Sequence, residues 1–458
     1  MSQTLTNDDW VDTNFDGVDL KDKRRNNRLK KTVEKMVASP GESIPNQMSD
    51  WAESKAAYRL LSCDKVTFNV VQLPHRKKTK QLARKSSLPV LFIEDTTALD
   101  FTSHSKKKGL GPIGDHKGRG LMMHSCLAVE YKENTPQILG LAMQQLWRRE
   151  EKPHKNKETR TERNNRHSES KIWSTTLRRI GNPPENSNWV EVGDRANDIF
   201  QFMDYCRKTK WNYVIRVCQN RVIKADEKIT KIEEELAQLK EAGRTTVVVR
   251  RQSDTTKKEI ELKVSYKEIE IQQPQRFKRK CKPCKIWVIR AWNEEENVDW
   301  KIYSSLCINN LKSAIEKLKW YALRWVIEEY HKCLKTGCKV QDRQLKSDSA
   351  LKAMVGILGI IAIRLLEIRD YSRVNADQPA EKAMPKILIK IILKRYPKIA
   401  NKKTYKTLTI KEFWYAVAQL GGFLCRKSDG EPGWQTLWKG WIRLLDMWFA
   451  AEAVLEHF

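Results

Sequence analysis

The sequence predicts an α/β protein with a mixed sheet flanked by helices, and three observations carry that expectation. Pro89–Asp95 (PVLFIED) is almost continuously apolar, as a strand buried on both faces should be. The segments TTVVVRRQ, EIELKVSYKEIEIQQ and KIWVIRAW, between residues 245 and 292, alternate apolar and polar side chains and read as antiparallel strands. Both ends of the chain carry apolar residues at helical spacing.

In chain order, residues 1–70 read as helical: LKDKRRNNRLKKTVEKM (Leu20–Met36) is strongly basic and WAESKAAYRLL (Trp51–Leu61) amphipathic. A Lys/Arg-rich connection, His75–Lys85, leads to the strand ending at Asp95. Strands follow at Met123–Tyr131 and Pro136–Trp147. The charged, aperiodic stretch from Arg148 to Ser170 is expected to be a loop. A helix containing Trp173–Arg179 precedes a fourth strand, Asn188–Asp194, whose last residue opens a helix. Past Asn220 come a charged helix (Ala225–Arg244), the antiparallel strands, and a last strand at Asp299–Leu306. Ile389–Lys411 is densely basic, and Trp434–Phe458 carries a Trp/Leu stripe that suits either a core or a partner helix. The expected units are 1–70, 71–375 with a β-rich insertion at about 220–298, and 376–458.

Across 458 residues, 86 Lys and Arg face 57 Asp and Glu, a formal charge of +29. Such an excess self-repels unless a polyanion shares the surface, which makes nucleic acid the expected partner. No run approaches about 18 consecutive apolar residues, so no membrane span is expected. The start, MSQTLTNDDW, has no signal-peptide pattern, and the ten scattered cysteines read as reduced thiols. Cys281-Lys-Pro-Cys284 and Cys333/Cys338 lack an accompanying His-x-x-x-His, so structural zinc is not expected there.

Three carboxylates draw the chemistry together. Wound as one helix, Tyr321–Lys335 places Trp320, Leu323, Ile327, Tyr330 and Leu334 on an apolar stripe. Tyr321, Arg324, Glu328, Lys332 and Lys335 fall on a second arc, a lone carboxylate among cations. Asp95 and Asp194 each end a strand, at the sheet edge where α/β folds bind ligands. Three acids meeting there would repel unless divalent cations joined them, and oxygen-only ligation suits Mg²⁺ or Mn²⁺. Bland roles exist for each: a solvated helix face for Glu328, an N-cap for Asp194, a turn cap for Asp95. Glu94 and Glu329 are rival acids. Strand alternation turns Glu94 to the face opposite Asp95, and Glu329 lies about 100° around the helix from Glu328.

IEDTT around Asp95, GDRAND around Asp194, and Tyr321, Arg324, Glu328 and Lys335 in a Tyr-Arg-Glu-Lys spacing resemble the DDE transposases of the bacterial transposon-five type, within the insertion-sequence-four superfamily. LKDKRRNNRL, GESI, AAYRLL, RGLMMHS, RWVIEEYHKCLKTG, LGGFLCRKSDG and GWQTLWKGW extend the resemblance in order along nearly the whole chain. It departs at Ile389–Lys411, which agrees only in being basic, and at 220–280, which agrees only in pattern.

The resemblance implies a ribonuclease H-like core, with the β-rich insertion filling the long gap between Asp194 and Glu328. It implies two Mg²⁺ ions per site (Mn²⁺ as substitute) on Asp95, Asp194 and Glu328. It assigns Tyr321, Arg324 and Lys335, with Lys332 as a weaker addition, to phosphates near the cut. Arg24, Arg25 and Arg28 would contact end-sequence DNA. Trp300 would stack a flipped base during hairpin formation, although the residue alone reads as a buried strand position. The C-terminal helix would pair with its copy in a synaptic homodimer. The implied function is cut-and-paste transposition of double-stranded DNA, in the bacterial cytoplasm at the nucleoid, by a full-length enzyme rather than a truncated inhibitor. An inactive DNA-binding or regulatory protein of the same fold, or a non-transposing nuclease, are the alternatives.

Overall fold

A computed structural model describes residues 7–103, 109–115, 117–132, 136–151, 169–250, 257–275, 281–345, 347–373, 376–426 and 428–455. The Arg148–Ser170 loop expectation falls mostly outside these residues.

Twelve strands form one sheet among the described residues. They are β1 (Val90–Asp100), β2 (Gly111–Ile113), β3 (Gly118–Glu130), β4 (Gln137–Trp147), β5 (Trp189–Gly193), β6 (Asn212–Arg216), β7 (Val222–Ala225), β8 (Lys228–Lys231), β9 (Gly243–Arg250), β10 (Lys257–Ile271), β11 (Cys284–Asn293) and β12 (Val298–Ser304). β4, β3 and β1 run antiparallel to one another, and β1 continues into the parallel pair β5 and β6. From β6 the sheet extends through β12, β11 and β10, all antiparallel, and of these β10 and β11 lie in the 220–298 stretch.

Strand alternation splits the core in two. Leu91, Ile93, Val190 and Val192 face the layer that holds the N-terminal and C-terminal helices. Val90, Phe92 and Trp189 face the opposite layer, under helices α5 (Ile172–Ile180) and α6 (Phe200–Thr209). The N-terminal region consists of α1 (Asn7–Phe15), α2 (Lys23–Ala38) and α3 (Trp51–Leu61), with a short turn of helix at Ile44–Gln47.

Several expectations are corrected. The connection His75–Lys85 is the second half of a helix, α4 (Phe68–Lys85). Its cations, some half-buried, flank a buried stripe of Val71, Gln72, His75, Thr79 and Ala83, and the expected boundary at residue 70 falls inside it. The charged helix at 225–244 is instead the hairpin β7–β8 followed by a short helix, Ile232–Gln238. β1 does not end at Asp95 but runs on to Asp100.

Tyr321–Lys335 is not one helix. α7 (Leu311–Ala322) stops, the chain turns through Leu323 and Arg324, and α8 (Trp325–Lys332) passes into a π-helical turn at Cys333–Gly337. The central helix α9 (Asp348–Tyr371) was not anticipated from the sequence. It is long and apolar enough to cross a membrane by length and composition, yet nearly all of its apolar stretch is buried in the fold. A helix apolar all round, lying at the centre of a domain, is a core helix.

The basic stretch at 389–411 begins within α10 (Lys386–Arg395), which buries Leu388, Ile389 and Ile392. α11 (Ile410–Leu420) and α12 (Trp434–Leu455) close the structure. The C-terminal stripe is mainly core: Trp434, Leu437, Trp438, Trp441, Leu444 and Leu445 are buried against α9, α10 and α11.

Candidate active site

The parallel pairing of β1 with β5 runs from Val90–Trp189 to Ile93–Val192 and stops there. Two residues further on come two aspartates, Asp95 within β1 and Asp194 just past the end of β5. Alternation sends Glu94 to the other layer, where it is fully buried, as its place in the strand predicts.

Asp95 Oδ1 accepts the amide of Thr96 at 2.7 Å, which fixes the carboxylate rotamer and leaves Oδ2 directed at the helices. Asp194 does serve as a cap, but of a single 3-10 turn, Arg195–Asn197, through Oδ1 and the Ala196 amide at 2.9 Å. The far end of that turn is tied down by buried Asp198. It accepts the amides of Cys218 and Gln219 at 2.8 Å and pairs with Arg221.

The helix bearing Glu328 is docked by its neighbour two residues on. Tyr330 donates to Gly359 O at 3.0 Å and accepts from Gln144 at 2.9 Å, all buried. A Cβ at Gly359 would stand 2.7 Å from Gln144 Oε1, so glycine is what lets these groups meet. Glu328 itself projects to solvent, and the rival Glu329 turns away to an ion pair with Arg369.

The break between α7 and α8 puts Arg324 at the mouth of the site. Its guanidinium hydrogen-bonds Glu328 and lies 3.9 Å from Asp95 Oδ2. Lys335, carried inward by the π turn, donates to Thr97 Oγ1 at 2.6 Å. Burial holds the Lys335 ammonium below its ordinary value, against the pull of Asp95 and Asp100. His331, three residues after Glu328, lies 4.0 Å from Asp95 Oδ2. Burial, with Lys335 and His124 adding to it, lowers that imidazole to about 3, so it meets Asp95 as a neutral ring.

Burial pushes the Asp95 carboxyl up to about 6. Asp194 and Glu328 press in the same direction, against the Thr96 amide and Arg324. Both neighbouring acids therefore disfavour the charged form of Asp95 at this sheet edge. Their oxygen donors suit a hard divalent cation. Among the described residues, however, no three His, Cys, Asp or Glu groups stand close enough to share one ion. The Arg324 guanidinium bridges Asp95 and Glu328 instead.

The remaining candidates divide. Tyr321 is buried and meets Trp300 edge-on, ring centroids 6.0 Å apart. Trp300, half-buried, lines a cavity of about 460 Å³ with Lys319, Trp325, Arg369 and Arg373. Lys332 is exposed, one helical turn after Glu328, and makes no ion pair with the three acids among the described residues. Arg24, Arg25 and Arg28 lie in the first turns of α2, which Asp22 caps through the amides of Arg24 and Arg25. Cations at that end oppose the helix dipole, a cost that an anionic partner would offset.

A transposase DNA-binding family model matches residues 7–66, and a transposase DDE domain model matches residues 160–365. The chain carries the two domains of a DDE transposase. The first match spans the basic helix with Arg24, Arg25 and Arg28. The second spans Asp194, Trp300 and Glu328, while Asp95 precedes it and is brought beside Asp194 by the β1–β5 pairing. The mixed sheet flanked by helices is accordingly the ribonuclease H-like fold of this transposase. DNA is its partner, and DDE domains generally use divalent metal ions.

His124, His331 and Thr97 were missed by sequence reasoning. His331 alone left a signal, one helical turn after Glu328. His124 is a lone histidine in an apolar strand, which is ordinarily a satisfied core residue.

Proposed function

We propose that this transposase works by cut-and-paste: it binds transposon ends, cleaves them through a DNA hairpin and joins the freed 3′ ends to target DNA. The observation that carries this reading is the arrangement of Asp95 and Asp194 at one sheet edge, with Arg324 lying between Asp95 and Glu328 and Lys335 held beside Asp95 on Thr97. These three acids would hold two Mg²⁺ ions, with Mn²⁺ as a substitute. Bound there, such ions would supply Lewis-acid charge at a scissile phosphate and would lower the pKa of an attacking water.

The chain's own side chains do the rest. Asp95, kept in one rotamer by the Thr96 amide, presents Oδ2, and Asp194 presents the oxygen not used in its cap. Arg324 would leave Glu328 for a phosphate of the transposon end, giving up one anionic partner for another. Lys335 adds a second cation, and Tyr321 buttresses Trp300, whose exposed face stacks an extruded base in the adjoining cavity.

Water first hydrolyses one strand to leave a 3′-hydroxyl. That hydroxyl attacks the opposite strand, forming a hairpin and releasing flanking DNA, and a second hydrolysis reopens the hairpin. The same 3′-hydroxyl then attacks target DNA. Two ends require two sites, so the reading includes a synaptic homodimer through the C-terminal helix. That helix still offers exposed Phe449 stacked on Trp448 after its stripe has entered the core. The enzyme would act at the bacterial nucleoid.

Incubation with linear DNA carrying the element's own terminal repeats tests the reading. A Mg²⁺-dependent hairpin product supports it. Nicks at random positions would indicate a nuclease of the same fold, and intact DNA under saturating binding a regulatory DNA-binding protein.

A further inference from the structure

On the face of the sheet opposite the catalytic edge, a single buried imidazole holds the residues on either side of Asp95. His124 sits on β3 directly across from Thr96 and is completely enclosed. Its Nδ1 lies 2.7 Å from Thr96 Oγ1 and its Nε2 lies 2.8 Å from Glu94 Oε2. Trp173 of α5 meets the ring edge-on at 4.8 Å and fixes its plane.

Because β1 alternates, Glu94 and Thr96 both point into this layer while Asp95 points the other way. One ring therefore pins the positions before and after Asp95. The chain of interactions continues to the carboxylate itself, since the Thr96 amide is the donor that holds Asp95 Oδ1 at 2.7 Å. β1 needs such help at this point. Pairing with its parallel partner has ended at Val192, so Asp95 is flanked by a paired strand on one side only.

We infer that His124 is a positioning residue: by clamping Glu94 and Thr96 from behind the sheet, it sets the direction in which Asp95 presents Oδ2 to a divalent ion. The inference rests on the proposed role of Asp95 as a metal ligand. Partners that orient a metal's ligands from behind ordinarily change affinity or activity by about 10–100-fold when removed.

The test is the Mg²⁺ concentration giving half-maximal thermal stabilisation of the full-length protein, measured beside that for cleavage of its end DNA. His124→Phe keeps a ring against Trp173 but has neither polar nitrogen. Thr96→Val removes the hydroxyl with almost no change in shape. Each is expected to raise both midpoints by about tenfold. The double variant is expected to be no worse than the single ones, because they break the same clamp. His124→Asn, which keeps a polar group near Nδ1, is expected to recover much of the loss. Unchanged Mg²⁺ midpoints in Thr96→Val and His124→Phe, with only a lowered Tm, overturn the inference and leave His124 a packing residue. A wild-type protein indifferent to Mg²⁺ in both measurements overturns the metal site, and this inference with it.

Discussion

Arg324 stands 3.9 Å from Asp95 Oδ2 while donating to Glu328 with its other amino group. One guanidinium thus supplies the positive charge between two acids that would otherwise face each other. Arg324 ends the turn between α7 and α8, where it keeps the i,i+4 relation to Glu328 and reaches the sheet edge at Asp95.

Arg324→Gln is expected to destabilise the metal-free protein by about 1 kcal/mol, a modest figure because Glu328 is more than half exposed. The same variant is expected to gain more stability from Mg²⁺ than wild type does, since no guanidinium competes for the acids. Cleavage of end DNA should fall about a hundredfold, for want of a cation at the phosphate. Thermal melts with and without Mg²⁺, alongside a gel cleavage assay, measure all three.

Asp95→Asn separates charge from shape. The folded carboxyl is raised to about 6 from its ordinary 3.8, so the native state binds its proton more tightly than the unfolded chain does. Stability therefore falls as pH rises through that window, and the full cost is present above about pH 6. Without metal, Asp95→Asn is expected to be more stable than wild type at pH 8, by on the order of 3 kcal/mol. The gap should shrink as pH drops below 6 and close near pH 4, which chemical denaturation across that range would reveal.

How much of this was legible beforehand depends on which regularity each residue obeys. Period-two alternation is strict, so Asp95 and Glu94 could be assigned to opposite faces from sequence alone. Helical phase held only within α8: Arg324 and Glu328 meet as expected, but the break before Trp325 and the π turn after Lys332 disturbed the rest. Lys332 keeps that phase, one turn after Glu328 and exposed like it. α9 carries no polar face to mark it as a helix, and the cations of α4 hid a buried stripe that continues through His75 and Thr79. The clamp by His124 depends on cross-strand register, which no local pattern encodes.

For the N-terminal domain, Arg24→Ala, Arg25→Ala and Arg28→Ala are expected to weaken end-DNA binding. Each should reduce the slope of log affinity against log salt by about 0.9 for every phosphate the variant no longer neutralises. Filter binding over a range of salt measures this. Slopes identical to wild type would remove these arginines from the DNA interface.

Trp300→Ala is expected to slow hairpin formation by about tenfold or more while leaving the first nick nearly intact, because only the second step needs an extruded base held in place. Pre-nicked end DNA isolates that step. Equal loss at both steps would assign Trp300 to the packing of Tyr321 instead.

The most direct measurement is calorimetric titration of Mn²⁺ into the complex of the full-length protein with its end DNA. Wild type is expected to take up two ions per protomer, the number a paired-metal phosphoryl-transfer site requires. Asp95→Asn, Asp194→Asn and Glu328→Gln should each lose at least one of them. Uptake unchanged in all three variants would contradict the account.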